Sequence, residues 1–479
     1  MAWTFIKKLN IYDSCPVVEG LTFNDYLVNH IVEDVMESGV WDGIYIDNLF
    51  ARINPHITDW SNRDLLDFDI NNNGLRDETP AQISDETRAS AIELLTRIRQ
   101  EVGANTLIVG NTGASPQLAL APYVNGFLFE CFNMAWCYEC GGMPTETGWR
   151  RALDDYLYMS QHVQWPAINI VEGCGVSGAF VDPDKAYPSP RPEDFQKHRM
   201  TLGTALLGDG FYEYDLFEGR SAPYWFDEYT VDGEGTAVQD ARFKGYLGQA
   251  LGDAVELRSP ERVVWSQRFS GTSLPSDMWA YPDRGAKLVQ GGRLLLSNQG
   301  DFTRTHSSAS TDSSMLRLYR GRTYVVVADW RIVETVDSHA SIGISGGCFE
   351  GSYLLPGMVQ GDAGTARFPV VLDAGSDFAL DLVIGPGEGA VAFDNIQIIE
   401  GGAGPWRRDF ENGFVLVNPL PDPYTFTTQE LSGARQRTGI QRIDGTQDRL
   451  VNNGDPVTGS VSLGGFDAII LLADPIPAI

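Results

Sequence analysis

The chain has 479 residues, of which 43% are hydrophobic and 21% charged, and its formal net charge is −29. That length exceeds what one hydrophobic core serves and implies two or three domains. So negative a chain repels phosphate backbones and anionic lipid, which excludes nucleic acid and membrane surfaces as partners, and no apolar run reaches the roughly 18 residues of a bilayer-spanning helix.

The opening, MAWTFIKKLN, lacks the apolar core and cleavage site of a secretory signal. The expectation is a cytosolic chain or one whose true N-terminus lies upstream. From residue 22 the pattern alternates helix and short apolar strand, the signature of a parallel sheet. Thr22 caps a helix with Phe23, Tyr26, Leu27, Ile31 and Val35 at the 3.6-residue period, and Gly39 ends it. Strand Asp42–Asn48 follows. A second helix begins near Ser84, carries Ile92, Leu95, Ile98 and Val102 on one face and stops at Gly103, ahead of strand Thr106–Asn111.

Next come strand Asn125–Phe132, a helix with Trp149, Leu153, Tyr156 and Leu157 on one side, strand Pro166–Gly173, a helix over Pro192–Leu207 and strand Gly210–Asp215. Strands apolar on both faces fit a barrel or an open doubly wound sheet. No GxGxxG or GxxxxGK[ST] loop follows any strand, so the expected fold is an N-terminally incomplete (β/α)8 TIM-type barrel over residues 1–255. Helical periodicity then ceases. Short strands between Gly, Ser, Asp and Pro turns predict a jelly-roll-like β-sandwich over 256–403. After the Gly-rich joint Gly401–Pro405, a small C-terminal β domain spans 404–479.

In a parallel barrel the active site gathers at the C-terminal strand ends. Acidic or amide residues stand at nearly every one: Asp47 and Asn48, Asn111, Glu130, Glu172, then Glu213 with Asp215. A carboxylate that ends an apolar strand borders low-dielectric core, where desolvation and like charges split pKa values into an acid and a base. Two such groups across a sugar ring perform glycoside hydrolysis. Asp and Asn also favour strand ends as plain turn residues; their recurrence on one rim is what favours a site. Aromatic residues crowd the same loops, among them Trp136, Tyr212 and Trp225, and aromatic faces stack on sugar rings. The expected ligand is therefore a glycan, with no cofactor for catalysis.

The loop Asp69–Glu78 sets oxygen ligands at Asp69, Asn71, Asn73 and Asp77 around Gly74, but Pro80 replaces the closing Glu of an EF-hand. It reads either as a structural Ca²⁺ loop or as a metal-free Asx turn. Cys131, Cys137, Cys140 and Cys174 fall close together, and one or two disulfides at the barrel mouth are expected over a zinc site, with Cys15 and Cys348 unpaired.

The strand Asp42–Asn48, the Asn71–Asp77 loop, Val109–Asn111, Asn125–Glu130, Asp209–Asp215 and FDEY at Phe226–Tyr229 together resemble a family of barrel glycoside hydrolases related to the endo-α-1,4-polygalactosaminidase group. That resemblance implies Asp47 as nucleophile or base and Glu130 as acid. Trp406–Pro419 with Gln441–Gly454 resembles the small β domain ending such enzymes, and WSQRF and VAFDN make residues 260–402 resemble a jelly-roll carbohydrate-binding module. The implied protein is an extracellular or cell-surface glycoside hydrolase. Its rivals are a non-catalytic glycan-binding protein on a degenerate barrel and a polysaccharide lyase.

Overall fold

The computed structural model describes residues 11–475 apart from 13, 52–68, 76–77, 79, 114–116, 133–144, 176–189, 217–223, 281–286, 299–306, 313–315, 317, 320, 337–338, 346–351, 358, 373–377 and 386–387. Trp136, Asp77, Cys137, Cys140 and Cys348 thus lie outside the described residues.

Helix α1 (Phe23–Asn29) starts at a reciprocal capping box between Thr22 and Asp25, runs on as a π turn and a 3-10 turn to Ser38, and stops where Gly39 turns left-handed at φ 65°. Then follow β1 (Gly43–Ile46), α2 (Pro80–Val102), β2 (Leu107–Asn111), β3 (Gly126–Phe129), α3 (Glu146–His162), β4 (Ile170–Cys174), α4 (Pro192–Leu206) and β5 (Phe211–Asp215). Helix α2 opens at Pro80 rather than near Ser84, because proline's fixed φ suits a first helical turn, where no N–H partner is needed. Between β2 and β3 a 3-10 segment, Leu118–Tyr123, takes the place of a helix, with Pro122 inside it.

The five strands form one parallel sheet in the order β1-β2-β3-β4-β5. A sequential order with right-handed crossovers leaves every helix on the same face, and the core follows that geometry. Ile108, Phe127, Phe129 and Val171 point into a cluster with Leu95 and Ile98 of α2, Trp149 and Tyr156 of α3, and Met200 and Ala205 of α4. The other face is open at both edges, where Tyr45 and Phe211 are 52% and 58% exposed. The described residues form a partial α/β unit with one helical layer.

The antiparallel part begins at β6 (Val255–Glu256) and continues through β7 (Glu261–Gln267), β8 (Met278–Ala280), β9 (Lys287–Gln290), β10 (Arg293–Asn298), β11 (Ser307–Thr311), β12 (Thr323–Glu334), β13 (Ala340–Ser345), β14 (Tyr353–Leu354), β15 (Ala363–Val371), β16 (Ala379–Ile384) and β17 (Gly389–Gly401). One sheet has the order β15-β12-β17-β10-β9 with β7 also on β17, and the second β14-β13-β16-β11-β8. Alternating side chains of both, such as Val326, Ile332, Ile342, Phe368, Leu382 and Phe393, fill the space between them. This β-sandwich rests on α3: Thr147 Oγ1 donates to Pro369 O at 2.7 Å, Val371 N–H to Glu146 Oε1 at 2.5 Å, and Tyr353 OH to Asp154 Oδ2 at 2.9 Å.

The last unit comprises β18 (Trp406–Phe410), β19 (Gly413–Asn418), β20 (Tyr424–Phe426), α5 (Thr428–Ser432), β21 (Gln441–Arg442), β22 (Val461–Leu463) and β23 (Asp467–Leu472). Its main sheet runs β21-β23-β19-β18-β6, so the strand before the sandwich pairs with the strand after it. Val415, Val417, Ala468 and Ile470 pack against α4 in the same core as the parallel sheet, and buried Arg199 of α4 grips Asp467 through two nitrogens at 3.1 and 3.0 Å.

Candidate functional site

Register decides which strand-end residues meet. Ile46 stands beside Gly110, Leu128 beside Asn111 and beside Ile170, and Glu172 beside Glu213. Side chains alternate along a strand, so Asp47, Asn111, Glu130, Glu172, Glu213 and Asp215 all fall on the face away from the helices, near its C-terminal rim. The same parity puts Tyr212 on the helical face. There its hydroxyl meets His198 Nδ1 at 3.1 Å, and Tyr212 lines one cavity with Glu172, Glu213 and Asp215.

Asn111 is the hub. Its Nδ2 donates to Asp47 Oδ1 at 2.8 Å and to Glu130 Oε2 at 3.0 Å, which holds those two oxygens within about 6 Å of each other, since one planar amide nitrogen offers two diverging donors. Its Oδ1 accepts the N–H of Gly113 at 2.8 Å, which fixes the amide's orientation. Asn48, left-handed at φ 55°, turns its own amide back onto Asp47 Oδ2 at 2.7 Å. Asp47 thus accepts from two neutral amides, one on each oxygen, as a carboxylate does.

Glu172 differs. Burial, then the charges of Glu130, Glu213 and Asp215, push its carboxyl up to about 7, against the pull of one N–H from Cys131, and its Oε2 is buried without a hydrogen-bond partner. It therefore carries a proton through much of the neutral range. A disulfide joins Cys131, next to Glu130, to Cys174, two residues beyond Glu172. It ties the ends of β3 and β4 together and fixes the two glutamates relative to one another. Of the cysteine expectations, a disulfide at the strand ends is found, and Cys15 is free.

Sequence reasoning missed Tyr45, two residues before Asp47 and hence on its face. Burial, then the charges of Asp47, Glu130 and Glu172, push its hydroxyl up to about 12, so it stays a neutral donor beside the carboxylates. Strand alternation counted back from Asp47 would have found it. The site continues beyond the sheet. A cavity of about 970 Å³ runs from Glu172, Glu213 and Asp215 around the β5 edge to Tyr224, Trp225, Glu228 and Tyr229. Trp225 is therefore where the sequence puts it, beside the acidic rim, with its indole N–H held by Thr230 Oγ1 at 3.0 Å.

The Asp69–Asn73 oxygens turn inward: Asp69 accepts the N–H groups of Asn73 and Gly74 at 3.0 and 2.7 Å, Asn71 accepts that of Asn73 at 3.0 Å, and Asn73 that of Leu75 at 2.7 Å. This is an Asx-rich turn. Among the described residues no three His, Cys, Asp or Glu side chains gather as a metal site, and no helix is long and apolar enough to cross a membrane.

No family model and no curated protein matches the chain. Solved carbohydrate-binding modules resemble part of it. The BiXyn10A CBM1 module in its apo form is 14% identical, with 29% of this chain and 97% of the module covered at a TM-score of 0.24. The CBM22-1 xylan-binding domain of Xyn10C from Paenibacillus barcinonensis is 12% identical, with 30% and 97% covered at 0.22. A lysine-to-alanine mutant of the family 29 module CBM29-2 is 12% identical, with 30% and 94% covered at 0.22. Identities and scores this low bear on neither the ligand nor the activity of this chain.

Proposed function

We propose that this chain acts on a glycan as a two-carboxylate glycoside hydrolase, its parallel sheet being five consecutive strands of a (β/α)8-type barrel and its sandwich a glycan-binding module. The observation that carries the reading is the division of labour on one rim. Both oxygens of Asp47 are met by amide donors, while Glu172 holds a proton near neutrality. A nucleophile or base and an acid on one rim are what glycosidic bond cleavage needs.

Asp47 keeps the role of nucleophile or base. The acid is Glu172 in place of Glu130: the Asn111 amide uses Glu130 as an acceptor, and the charge of Glu130 helps hold the proton on its neighbour. The disulfide suits an oxidising, extracellular or cell-surface setting. Polysaccharide turnover by the full chain, with Asp47→Asn and Glu172→Gln, tests this. Each variant should lose about 10²- to 10⁴-fold in rate, and Glu172→Gln should be partly spared on substrates with activated leaving groups. Near-normal rates in both refute the assignment.

A second reading, glycan binding without turnover, is favoured by the openness of the sheet face: Tyr45 and Phe211 are more than half exposed, whereas hydrolysis profits from a water-excluding site. Glycan retention with no products from any of a broad panel would select it.

A further inference from the structure

The segments Phe226–Tyr229 and Gln441–Gly454, far apart in sequence, meet. Gln447 of the C-terminal unit lays its carboxamide along the chain beside the cavity, accepting the N–H of Asp227 on Oε1 at 2.9 Å and donating from Nε2 to Trp225 O at 2.7 Å. The side chain thereby mimics one rung of a β-ladder. Asp227 answers in kind, its Oδ2 accepting the N–H groups of Thr446 and Gln447, both at 2.9 Å. The approach is so close that a Cβ on Gly445 would stand 2.2 Å from Asp227 Oδ2. One residue on, Asn452 Nδ2 donates to Glu228 Oε1 at 2.7 Å. The loop is in turn moored to α4 by Arg199, which reaches Asp448 Oδ2 at 2.6 Å.

The segment this clamp holds borders the cavity. Tyr224, Trp225, Glu228 and Tyr229 line the same space as Glu172, Glu213 and Asp215, while Asp227 and Gln447 do the gripping from behind. We propose that the C-terminal unit is a working part of the glycan site, with Gln447 as the positioning residue that sets Trp225 as a sugar-stacking surface beside the acidic rim. This rests on the glycan reading of that site. The physical basis is that aromatic stacking on a sugar ring gains only if the ring plane is held in place before the ligand arrives. Trp225 sits on a loop, and the strand-like hydrogen bonds that fix its backbone come from Gln447.

The test uses the full chain, Gln447→Ala and Trp225→Phe. The chain has 11 tryptophans, so the Trp225 component is isolated as the difference from Trp225→Phe, and its acrylamide quenching is compared in the presence and absence of Gln447. Affinities for cellohexaose and xylohexaose are measured alongside, with KM and kcat wherever either is cleaved. In Gln447→Ala, quenching of the Trp225 component should rise about twofold, and Kd or KM should rise about tenfold with kcat within a factor of two. Gln447→Glu keeps an acceptor for Asp227 N–H, loses the donor to Trp225 O and sets a negative charge against that oxygen. It should show an intermediate shift in both readouts, and it decides the matter if the alanine variant does not fold. Unchanged quenching overturns the proposal, and so does altered quenching with unchanged affinity. If the parent binds neither hexasaccharide, the glycan reading fails for these sugars, and quenching alone still shows whether Gln447 sets Trp225.

Discussion

Replacing Glu172 by glutamine should change stability in a way that depends on pH. In the folded chain this carboxyl stands at about 7 against an ordinary value of 4.5. Between those two values the folded state binds more protons than the unfolded state, so the wild-type chain loses stability as pH rises through this window and the loss is complete above it. At about 1.4 kcal/mol per tenfold the full penalty would be roughly 3 kcal/mol, and partial exposure to solvent reduces this to about 2 kcal/mol. Glutamine keeps an oxygen for the Cys131 N–H but cannot ionise. Glu172→Gln should therefore match the parent near pH 4.5 and be the more stable by about 2 kcal/mol at pH 8, which for a unit of 150–250 residues is about 4–8 °C in Tm. Differential scanning calorimetry of both proteins across pH 4.5–8 measures it. Parallel stability curves, or a variant less stable at pH 8, would refute the argument that burial and neighbouring carboxylates raise Glu172.

The disulfide closes a separation of 43 residues, so Cys131→Ser with Cys174→Ser should cost about 4 kcal/mol on the chain-entropy scale, read as a lowered Tm, and should reduce the pH effect just described by freeing Glu130 from Glu172 while burial, Glu213 and Asp215 still act on it. The sandwich has a core of its own, so residues 260–402 alone should fold as an all-β unit and be retained by a polysaccharide in affinity electrophoresis. Trp279, 50% exposed on β8, is the expected platform, and Trp279→Ala should lower retention at least severalfold. If the Asp69–Asn73 loop holds calcium, the ion at a hundred times its Kd should add about 2.7 kcal/mol of stability. A Tm unmoved by calcium and by chelator would mark it as a metal-free turn.

How much of this was legible follows from the range of each interaction. Helix α1 was readable because Thr22, Asp25 and Gly39 act within their own turns. The rim was readable because the end of a strand is marked locally, so Asp47, Asn111 and Glu130 could be placed together before any packing was known. Strand parity, left uncounted, hid Tyr45. What no local pattern carries is the partner at long range. The proton on Glu172 depends on three carboxylates from two other strands, and the grip of Gln447 on Trp225 spans 222 positions. Hydrophobic periodicity contains no trace of either.

The pairing of β6 with β18 determines how the sandwich can be inherited. Trp406 lies opposite Glu256, Leu257 N–H bonds Pro405 O at 2.8 Å, and a Cβ on Gly404 would stand 1.9 Å from Leu257 O. The module leaves and re-enters its host through adjacent strands, so a host lacking it needs only a short hairpin to close the same sheet. Gain or loss of the module is then a single local event that leaves the flanking fold whole. For the same reason it hangs from two neighbouring tethers, which resist the swivelling that a single linker allows.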